Sequence, residues 1–330
     1  MTGAATGPTP GPGGPAVGSG MDAVPVRDAA TVMLVRDAVG PDGGPAIEVC
    51  MLRRNLASEF VAGAYVFPGG SVDPEDSGPG VEERCLGLTD AAASAVVDVP
   101  AGGLAFWVAA LRECFEEAGV LVACRRPAPG DDPVLLDTSS PGDAARFAAY
   151  RDGVNAGTTG LLEVCEAEDL VLAVDAVRYV ARWITPELAP RRYDTRFFIT
   201  AAPPGQVAHH DDGETIATIW VRPDDALARF GRGEIELLPP TIACLRSIRP
   251  FHTTDEAMAW AAGVTDIVTI LPIVLFEDGQ VLILRPGDEG YDEAKADREA
   301  SAPRTPDEWA DDMRAARAAW APGRGVDPAP

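Results

Sequence analysis

The chain has 330 residues, enough for one large domain or two small ones, and its 51 acidic against 27 basic residues give a formal charge of −24. A surface this acidic repels polyanions, which disfavours nucleic acids and anionic membranes as partners. The six cysteines form no CxxC pair, and there is neither a signal peptide nor an apolar stretch of about 18 residues, so we expect a cytoplasmic protein.

Short apolar runs predict the start of a sheet. Residues 31–35 and 47–52 are apolar or alternating segments separated by Gly, Pro and Asp, which is typical of a β-hairpin. Residues 65–67 predict a third strand, which ends in a turn at Gly69 and Gly70. Because glycine adopts backbone conformations closed to other residues, another group can approach the chain closely at this turn.

A helix is predicted over Leu104–Ala118, with Gly119 as its end. At about 3.6 residues per turn, its apolar side chains share one face. These side chains are Leu104, Trp107, Val108, Leu111 and Phe115.

The other side of this helix is acidic. Glu113, Glu116 and Glu117 share one arc, and Arg112 lies at its edge beside Glu116. Taken alone, the arc is explained as a solvent-exposed face, although like charges at this spacing repel one another. A divalent cation, which prefers hard oxygen ligands, would turn that repulsion into coordination.

Helical periodicity dominates residues 141–182 and predicts a helical insert with pieces at 143–152 and 168–183. Strand-like runs return at 195–200 and 215–220.

The remaining chain predicts helices that begin near Pro223 and Pro240, since proline suits the first turn of a helix. Residues 267–284 predict a hairpin on the edge of the main sheet, with its turn at Asp278 and Gly279. Residues 306–320 predict a terminal amphipathic helix.

The segments 67–73 and 112–120 together resemble the Nudix hydrolase signature, in which a glycine and an acidic position precede Arg-Glu-apolar-x-Glu-Glu-x-Gly-apolar. Gly70 corresponds to the first glycine, and Arg112 opens the second half. The stretch between them is longer than in the compact signature, which a surface loop inserted after Asp73 explains. The acidic position of the first half therefore stays open, with Asp73 as a candidate.

Interrupted signatures of this kind resemble a Nudix subgroup that includes peroxisomal coenzyme A diphosphatases. The runs at 183–186, 192–198 and 238–241 strengthen that resemblance. It implies an α/β/α sandwich with a mixed sheet, to which this chain adds the helical insert as a wall over the site.

The resemblance also implies the site. Glu113, Glu116 and Glu117 would hold Mg²⁺ or Mn²⁺, with the Gly70 carbonyl as a further ligand. Arg112 would pair with a glutamate and orient it, as metal-binding carboxylates require. Glu116, Glu117 and Arg112 are thus predicted to be catalytic.

Four residues outside the signature are further candidates. Glu214 precedes a strand that family members bring toward the metals, so we predict it as general base, although an exposed loop acid is an equal alternative. Arg191, Arg192 and Arg196 would bind substrate phosphates, because guanidinium groups suit oxyanions. Surface pairing with the many acids of this chain is the alternative for all three arginines.

The run His209-His210-Asp211-Asp212 resembles a transition-metal cluster. Adjacent histidines before a strand rarely converge on one ion, so a solvated loop is the favoured interpretation. Cys114 faces no evident base and is not expected to act as a nucleophile.

The predicted organisation has a disordered tail over residues 1–22, a Nudix domain over 23–250 and a C-terminal extension over 251–330. The domain contains the insertion at 74–102 and the helical insert at 133–190. A homodimer is the expected assembly.

The predicted function is hydrolysis of a diphosphate linkage in a nucleotide derivative, with coenzyme A or acyl-coenzyme A as the first candidate substrate. ADP-ribose, NADH or another nucleoside diphosphate conjugate is the alternative. Two non-enzymatic hypotheses are a Nudix-fold nucleotide sensor and a scaffold built on Ala-rich helices. Metal-dependent turnover of a diphosphate distinguishes the enzyme from both.

Overall fold

A computed structural model describes residues 24–300, with the exception of 56–62, 129, 188, 190, 212 and 278–279. The strands are β1 (Val26–Val39), β2 (Pro45–Arg54), β3 (Tyr65–Val66), β4 (Gly69–Ser71), β5 (Ala123–Arg125), β6 (Leu170–Leu172), β7 (Arg178–Ile184), β8 (Arg192–Ala201), β9 (Thr215–Val221), β10 (Thr269–Ile270), β11 (Ile273–Glu277) and β12 (Gln280–Leu284). The helices are α1 (Asp90–Val97), α2 (Leu104–Ala118), α3 (Pro141–Asn155), α4 (Leu161–Ala167), α5 (Pro223–Gly231), α6 (Pro239–Ile248), α7 (Thr254–Ala262) and α8 (Tyr291–Ala300).

Eight of these strands form a mixed sheet in the order β10-β7-β8-β1-β2-β3, with β4 beside β1 and β9 beside β2. Strand β1 runs parallel to β8 and antiparallel to β2, which it meets only from Val35 onward. Before that point β4 pairs with β1, and β3 pairs with the far end of β2. The segment from Tyr65 to Ser71 thus lies in the gap between the two arms of the hairpin.

Side chains of the sheet alternate between two cores because successive residues of a strand point to opposite faces. On β1, Ala30, Val32 and Leu34 pack with α2, whereas Met33 and Val35 pack on the side of α6 and α7. Helices thus cover both faces, and the predicted α/β/α sandwich is confirmed.

Helix α2 has the predicted bounds. Gly119 ends it in the left-handed region at φ 69°, and its N–H donates to the carbonyl of Phe115 at 3.0 Å. The helix is buried almost all round, however, since Ala105, Phe106 and Ala109 are covered as well as the predicted apolar face. Its acidic arc therefore does not lie on an open surface.

The prediction of a helix over 168–183 is wrong. This segment forms β6, a 3-10 turn at Val174–Ala176 and β7, and only the first helical pieces exist, as α3 and α4. On β7, Tyr179 is buried among the aromatic side chains on the α2 face, and Trp183 is buried in the opposite core. Burial against both layers outweighed the local helical periodicity.

The hairpin of β11 and β12 forms a separate two-stranded sheet and does not extend the main sheet as predicted. Instead, β10 pairs with β7 at the sheet edge, and α7 buries Ala257 and Ala261 in the core beside α6. The sheet and its core thus continue past residue 250. The predicted turn at 278–279, the terminal helix at 306–320 and the tail at 1–22 lie outside the described residues.

The insertion is not the surface loop that was predicted. Its helix α1 buries Ala93 and Val97 in the α2 core. Ser94 Oγ accepts a hydrogen bond from the N–H of Gly103 at 2.9 Å, and Asp90 Oδ1 accepts from the N–H of Leu104 at 3.0 Å. The insertion therefore caps the start of α2.

In the part of the chain that the structure describes, we find no helix with the length and apolar character needed to cross a bilayer.

Substitution of a buried side chain tests whether the insertion belongs to the core. Val97 is 1% exposed and its neighbour Val96 is 55% exposed. We expect Val97→Ala to lower the free energy of unfolding by about 2 kcal/mol, because it removes buried methyl groups and leaves a cavity. The matched change Val96→Ala should cost under about 0.5 kcal/mol. Urea unfolding measures both, and equal effects would show that α1 contributes no core packing.

Candidate active site

Arg112 joins the two separated halves of the site. Its Nε donates to Asp76 Oδ1 at 2.9 Å, and its Nη2 donates to Asp76 Oδ2 at 3.0 Å and to the carbonyl of Ser71 at 2.8 Å. Its Nη1 donates to Glu113 Oε1 at 2.9 Å and to Glu116 Oε2 at 3.1 Å. One guanidinium, 11% exposed, thus fixes the insertion, β4 and the acidic arc of α2.

Asp76, which the sequence pattern did not single out, is the buried acid of the insertion that pairs with Arg112. It is 2% exposed and binds Arg112 through both oxygens, whereas Asp73 is 51% exposed and lies 3.5 Å from Arg112. Asp73 is the N-cap residue of the 3-10 turn Pro74–Ser77, and its N–H donates to Oδ2 of Asp76 at 2.8 Å. Two acids three residues apart are a capping signal that could have identified Asp76.

Glu117 and Glu113 lie against the glycines of β4. Glu117 is 5% exposed, and its Oε2 accepts a hydrogen bond from the N–H of Gly69 at 2.9 Å. A Cβ at Gly70 would overlap the carboxylate of Glu113, so the backbone approaches this glutamate as the turn predicts. The glycines therefore let the glutamates of α2 approach the backbone of β4.

Burial raises the pKa values of the glutamates. For Glu113 the pKa rises to about 7, because burial and the charge of Glu116 outweigh the influence of Arg112. Burial and the charge of Glu113 hold the pKa of Glu117 well above its usual range. The pKa of Glu116 is also raised by burial. The three carboxylates are therefore crowded and short of positive charge.

The donor set of Glu113, Glu116 and Glu117 fits a hard divalent cation, since crowded carboxylates gain from one. In the described part of the chain, no three His, Cys, Asp or Glu side chains are arranged to hold a metal ion. In this structure the glutamates have other partners: Arg112 donates to Glu113 and Glu116, and the N–H of Gly69 donates to Glu117. The residues fit the ion by chemistry, and the ligand set stays a prediction.

The charge of Glu214 acts on this cluster, since it adds a small contribution to the raised pKa values of Glu113 and Glu117, after burial and nearer charges. Its backbone is held on two sides. The Glu214 N–H donates to Asp211 Oδ2 at 2.9 Å, and its carbonyl accepts from the N–H of Asn55 at 2.9 Å. The structure therefore brings Glu214 to the α2 glutamates, while its role as general base stays a prediction.

Comparison with known proteins identifies the family. A family model described as the NUDT19 Nudix domain matches residues 79–248. Acyl-coenzyme A diphosphatase NUDT19 of Gallus gallus is 30% identical over 308 residues, covering 81% of this chain and 80% of the relative. The chain belongs to the Nudix hydrolase family.

Two further relatives agree with this assignment. Acyl-coenzyme A diphosphatase NUDT19 of Homo sapiens is 29% identical over 281 residues, covering 76% of this chain and 74% of the relative. The crystal structure of a Nudix hydrolase from Alicyclobacillus acidocaldarius is 28% identical with a TM-score of 0.53, covering 72% of this chain and 96% of that one. The predictions of a Nudix enzyme and an α/β fold are confirmed.

The side chain of Arg196 is buried in the protein interior. It is 2% exposed, and its Nη1 lies 2.9 Å from Asp28 Oδ1 and 3.0 Å from Asp194 Oδ2. The guanidinium also stacks 4.1 Å from the ring centre of Phe106 on α2. Arg196 therefore braces β8 against α2. Because its guanidinium is buried and paired, the prediction that it binds substrate phosphates is corrected.

Arg191 and Arg192 lie at or before the start of β8. Arg192 pairs in register with Val26 on β1, four residues before Ala30, which pairs with Gly70. This separates Arg192 from the level of Gly70 by about 13 Å along the sheet. Its Nε donates to the carbonyl of Thr185 at 3.2 Å. A role for the two arginines in phosphate binding stays a prediction.

The histidine pair has a structural role in the described chain. The rings of His209 and His210 stack with centroids 4.4 Å apart, and Nδ1 of His210 lies 3.3 Å from the hydroxyl of Thr218. Asp211 accepts hydrogen bonds from Glu214 and Thr215. Asp212 lies outside the described residues.

The role of Asp76 is tested by removing its charge. We expect Asp76→Asn to lower the free energy of unfolding by about 3 kcal/mol, because it leaves the buried guanidinium of Arg112 short of its principal partner. The control Asp73→Asn should cost under about 1 kcal/mol, since that carboxylate is half exposed and makes a longer contact. Urea unfolding of both variants decides the matter. A larger loss in the Asp73 variant would reverse the assignment.

Proposed function

We propose that this Nudix enzyme is a metal-dependent diphosphatase acting on coenzyme A or an acyl-coenzyme A. The supporting observation is the site itself, in which Glu113 and Glu117 contact the β4 glycines and Arg112 pairs with Glu113 and Glu116. The site lies in a chain 30% identical to an acyl-coenzyme A diphosphatase along most of both sequences.

We propose Glu113, Glu116, Glu117 and the Gly70 carbonyl as ligands for Mg²⁺ or Mn²⁺. When bound, the ion supplies Lewis-acid polarisation of the phosphoryl oxygens and a lowered pKa for the attacking water. Arg112 holds Glu113 and Glu116 at fixed positions and is anchored in turn by Asp76. The N–H of Gly69 does the same for Glu117.

Glu214 is our candidate for the general base. Two observations support this proposal: its backbone is held by Asp211 and Asn55, and its charge acts on Glu113 and Glu117. In this role Glu214 would accept a proton from the water that attacks the diphosphate. The proton leaves the attacking water as its oxygen bonds to phosphorus, and the bridging oxygen leaves with the other phosphate.

The substrate assignment draws on the relatives and on the helical insert. Both NUDT19 relatives carry the name acyl-coenzyme A diphosphatase. Helix α3 lies against the end of α2, where it can form a wall beside the site. Arg191 and Arg192 stay candidates for phosphate contacts. ADP-ribose, NADH or another nucleoside diphosphate conjugate is the alternative substrate for the same chemistry.

Two broader proposals concern the setting of the enzyme. All six cysteines are free thiols, which suits a reducing compartment such as the cytoplasm, and cell fractionation tests this. A homodimer stays a proposal that light scattering tests.

Loss of the carboxylates tests the catalytic assignment. We expect Glu116→Gln and Glu117→Gln to lower kcat by about 100-fold or more, because several kcal/mol of transition-state stabilisation depend on the ion they bind. Thermal unfolding should show both variants folded. The control Glu166→Gln alters an acid that is 74% exposed and should leave kcat unchanged. Near-normal turnover in both site variants with metal present would refute the assignment.

The substrate is tested by turnover of a diphosphate panel with Mg²⁺ or Mn²⁺. We expect coenzyme A or an acyl-coenzyme A to give 3′,5′-ADP and (acyl-)phosphopantetheine, identified by mass. Its kcat/KM should exceed those of ADP-ribose, NADH and a nucleoside triphosphate by about tenfold, equal to about 1.4 kcal/mol of transition-state binding. A tenfold preference for another compound would replace the substrate and leave the metal chemistry standing.

A further inference from the structure

Arg151 of the helical insert reaches the end of the catalytic helix. From α3, its Nε donates to the carbonyl of Glu116 at 2.9 Å and its Nη2 donates to the carbonyl of Glu117 at 2.8 Å. Its Nη1 donates to the carbonyl of His210 at 3.4 Å. One side chain thus contacts three carbonyls on two chain segments, the end of α2 and the loop at His210.

The bonded carbonyls explain why an arginine suits this position. The last carbonyls of a helix have no partner within the helix, and its C-terminus carries partial negative charge. A guanidinium offers several donors in a rigid fork, so it satisfies Glu116 and Glu117 and still reaches His210. Gly119 leaves room for this contact, since a Cβ there would lie only 3.0 Å from Nη1 of Arg151. Asn155, one turn later on α3, adds a bond to the carbonyl of Glu116 at 3.3 Å.

The contact with His210 connects Arg151 to Glu214. His210 and Glu214 both belong to the loop before β9. The His209 N–H donates to the carbonyl of Ala118 at 2.8 Å, so this loop contacts the end of α2. Asp211 then accepts from the N–H groups of Glu214 and Thr215 at 2.9 Å each. Arg151 therefore contacts two segments that also contact each other. One is the end of α2 with Glu116 and Glu117, and the other is the loop that leads to Glu214.

We infer that Arg151 is a positioning residue that sets Glu214 relative to the α2 glutamates and links the helical insert to catalysis. The inference rests on the proposed function for its kinetic consequence, but its structural consequence is independent of the substrate. Because a displacement of about 1 Å at a catalytic group can cost about 100-fold in rate, a clamp of this kind matters to turnover.

The kinetic test compares Arg151→Lys with Arg146→Lys. Lysine keeps the charge but has one nitrogen in place of the three guanidinium nitrogens that bond these carbonyls. Arg146, on the same helix, pairs with Asp143 and Glu168 at the surface, so its variant is a matched control. We expect Arg151→Lys to lower kcat by about 10- to 100-fold, with KM changed by less than about threefold. The control should stay within about twofold in both constants. Equal kinetics of the two variants would overturn the inference.

A double-mutant cycle tests the link to Glu214. If Arg151 acts by placing Glu214, Arg151→Lys in a Glu214→Gln background should lower kcat by less than about threefold further. If the full loss persists in that background, Arg151 does not act through Glu214 and the inference is wrong. The cycle is valid because neither substitution removes a bond that the other residue makes directly.

Hydrogen exchange separates failure of this inference from failure of the proposed function. We expect faster amide exchange over residues 209–215 in Arg151→Lys but not in Arg146→Lys, measured by mass spectrometry without substrate or metal. Unchanged exchange would overturn the clamp whatever the substrate is. If the wild-type enzyme turns over no compound of the panel, the proposed function fails, while the exchange result still decides the role of Arg151.

Discussion

The site depends on one buried guanidinium. Arg112 is the cation among acids that would otherwise repel each other, and it contacts Asp76, Glu113, Glu116 and the backbone of Ser71. A buried charge is tolerated only where its donors are satisfied, and here each nitrogen of the fork has a partner. The same bonds connect β4, the insertion and α2. The conformation of these segments and the placement of the glutamates therefore depend on the same contacts.

Arginines in this acidic chain act as internal braces. Arg112 joins the halves of the site, Arg151 bonds the last carbonyls of α2, and Arg196 on β8 pairs with Asp28 on β1. With a net charge of −24, the surface does not gather a polyanionic substrate by itself. The proposed divalent ion would therefore provide much of the local attraction to the diphosphate.

The segments by which this chain departs from a compact Nudix signature are structural parts of the site. The insertion supplies Asp76 and helix α1, one face of which is buried, and the helical insert supplies Arg151. Each adds a brace to α2 from a different side. Added length in this protein thus contacts the helix that carries Glu113, Glu116 and Glu117, because the new segments reach the core.

Local chemistry determined much of what could be predicted. The bounds of α2 follow from apolar spacing and from Gly119, and the arc of Glu113, Glu116 and Glu117 follows from helical geometry. Strands such as β8 and β9 were predicted from their apolar and β-branched residues. The spacing of Arg112 and the glutamates carried the resemblance that the family match then confirmed.

Tertiary structure decided the partners. Asp76, Arg151 and Arg196 are ordinary charged residues in the sequence. Their roles arise from contacts with distant parts of the chain, which are the Arg112 guanidinium for Asp76, the Glu117 carbonyl for Arg151 and the Asp28 carboxylate for Arg196. The segment 168–183 forms strands because it is buried between two layers, which no window of neighbouring residues reveals. Spacing along the chain reports which residues share a face, whereas the contacts of that face depend on how distant segments fold against it.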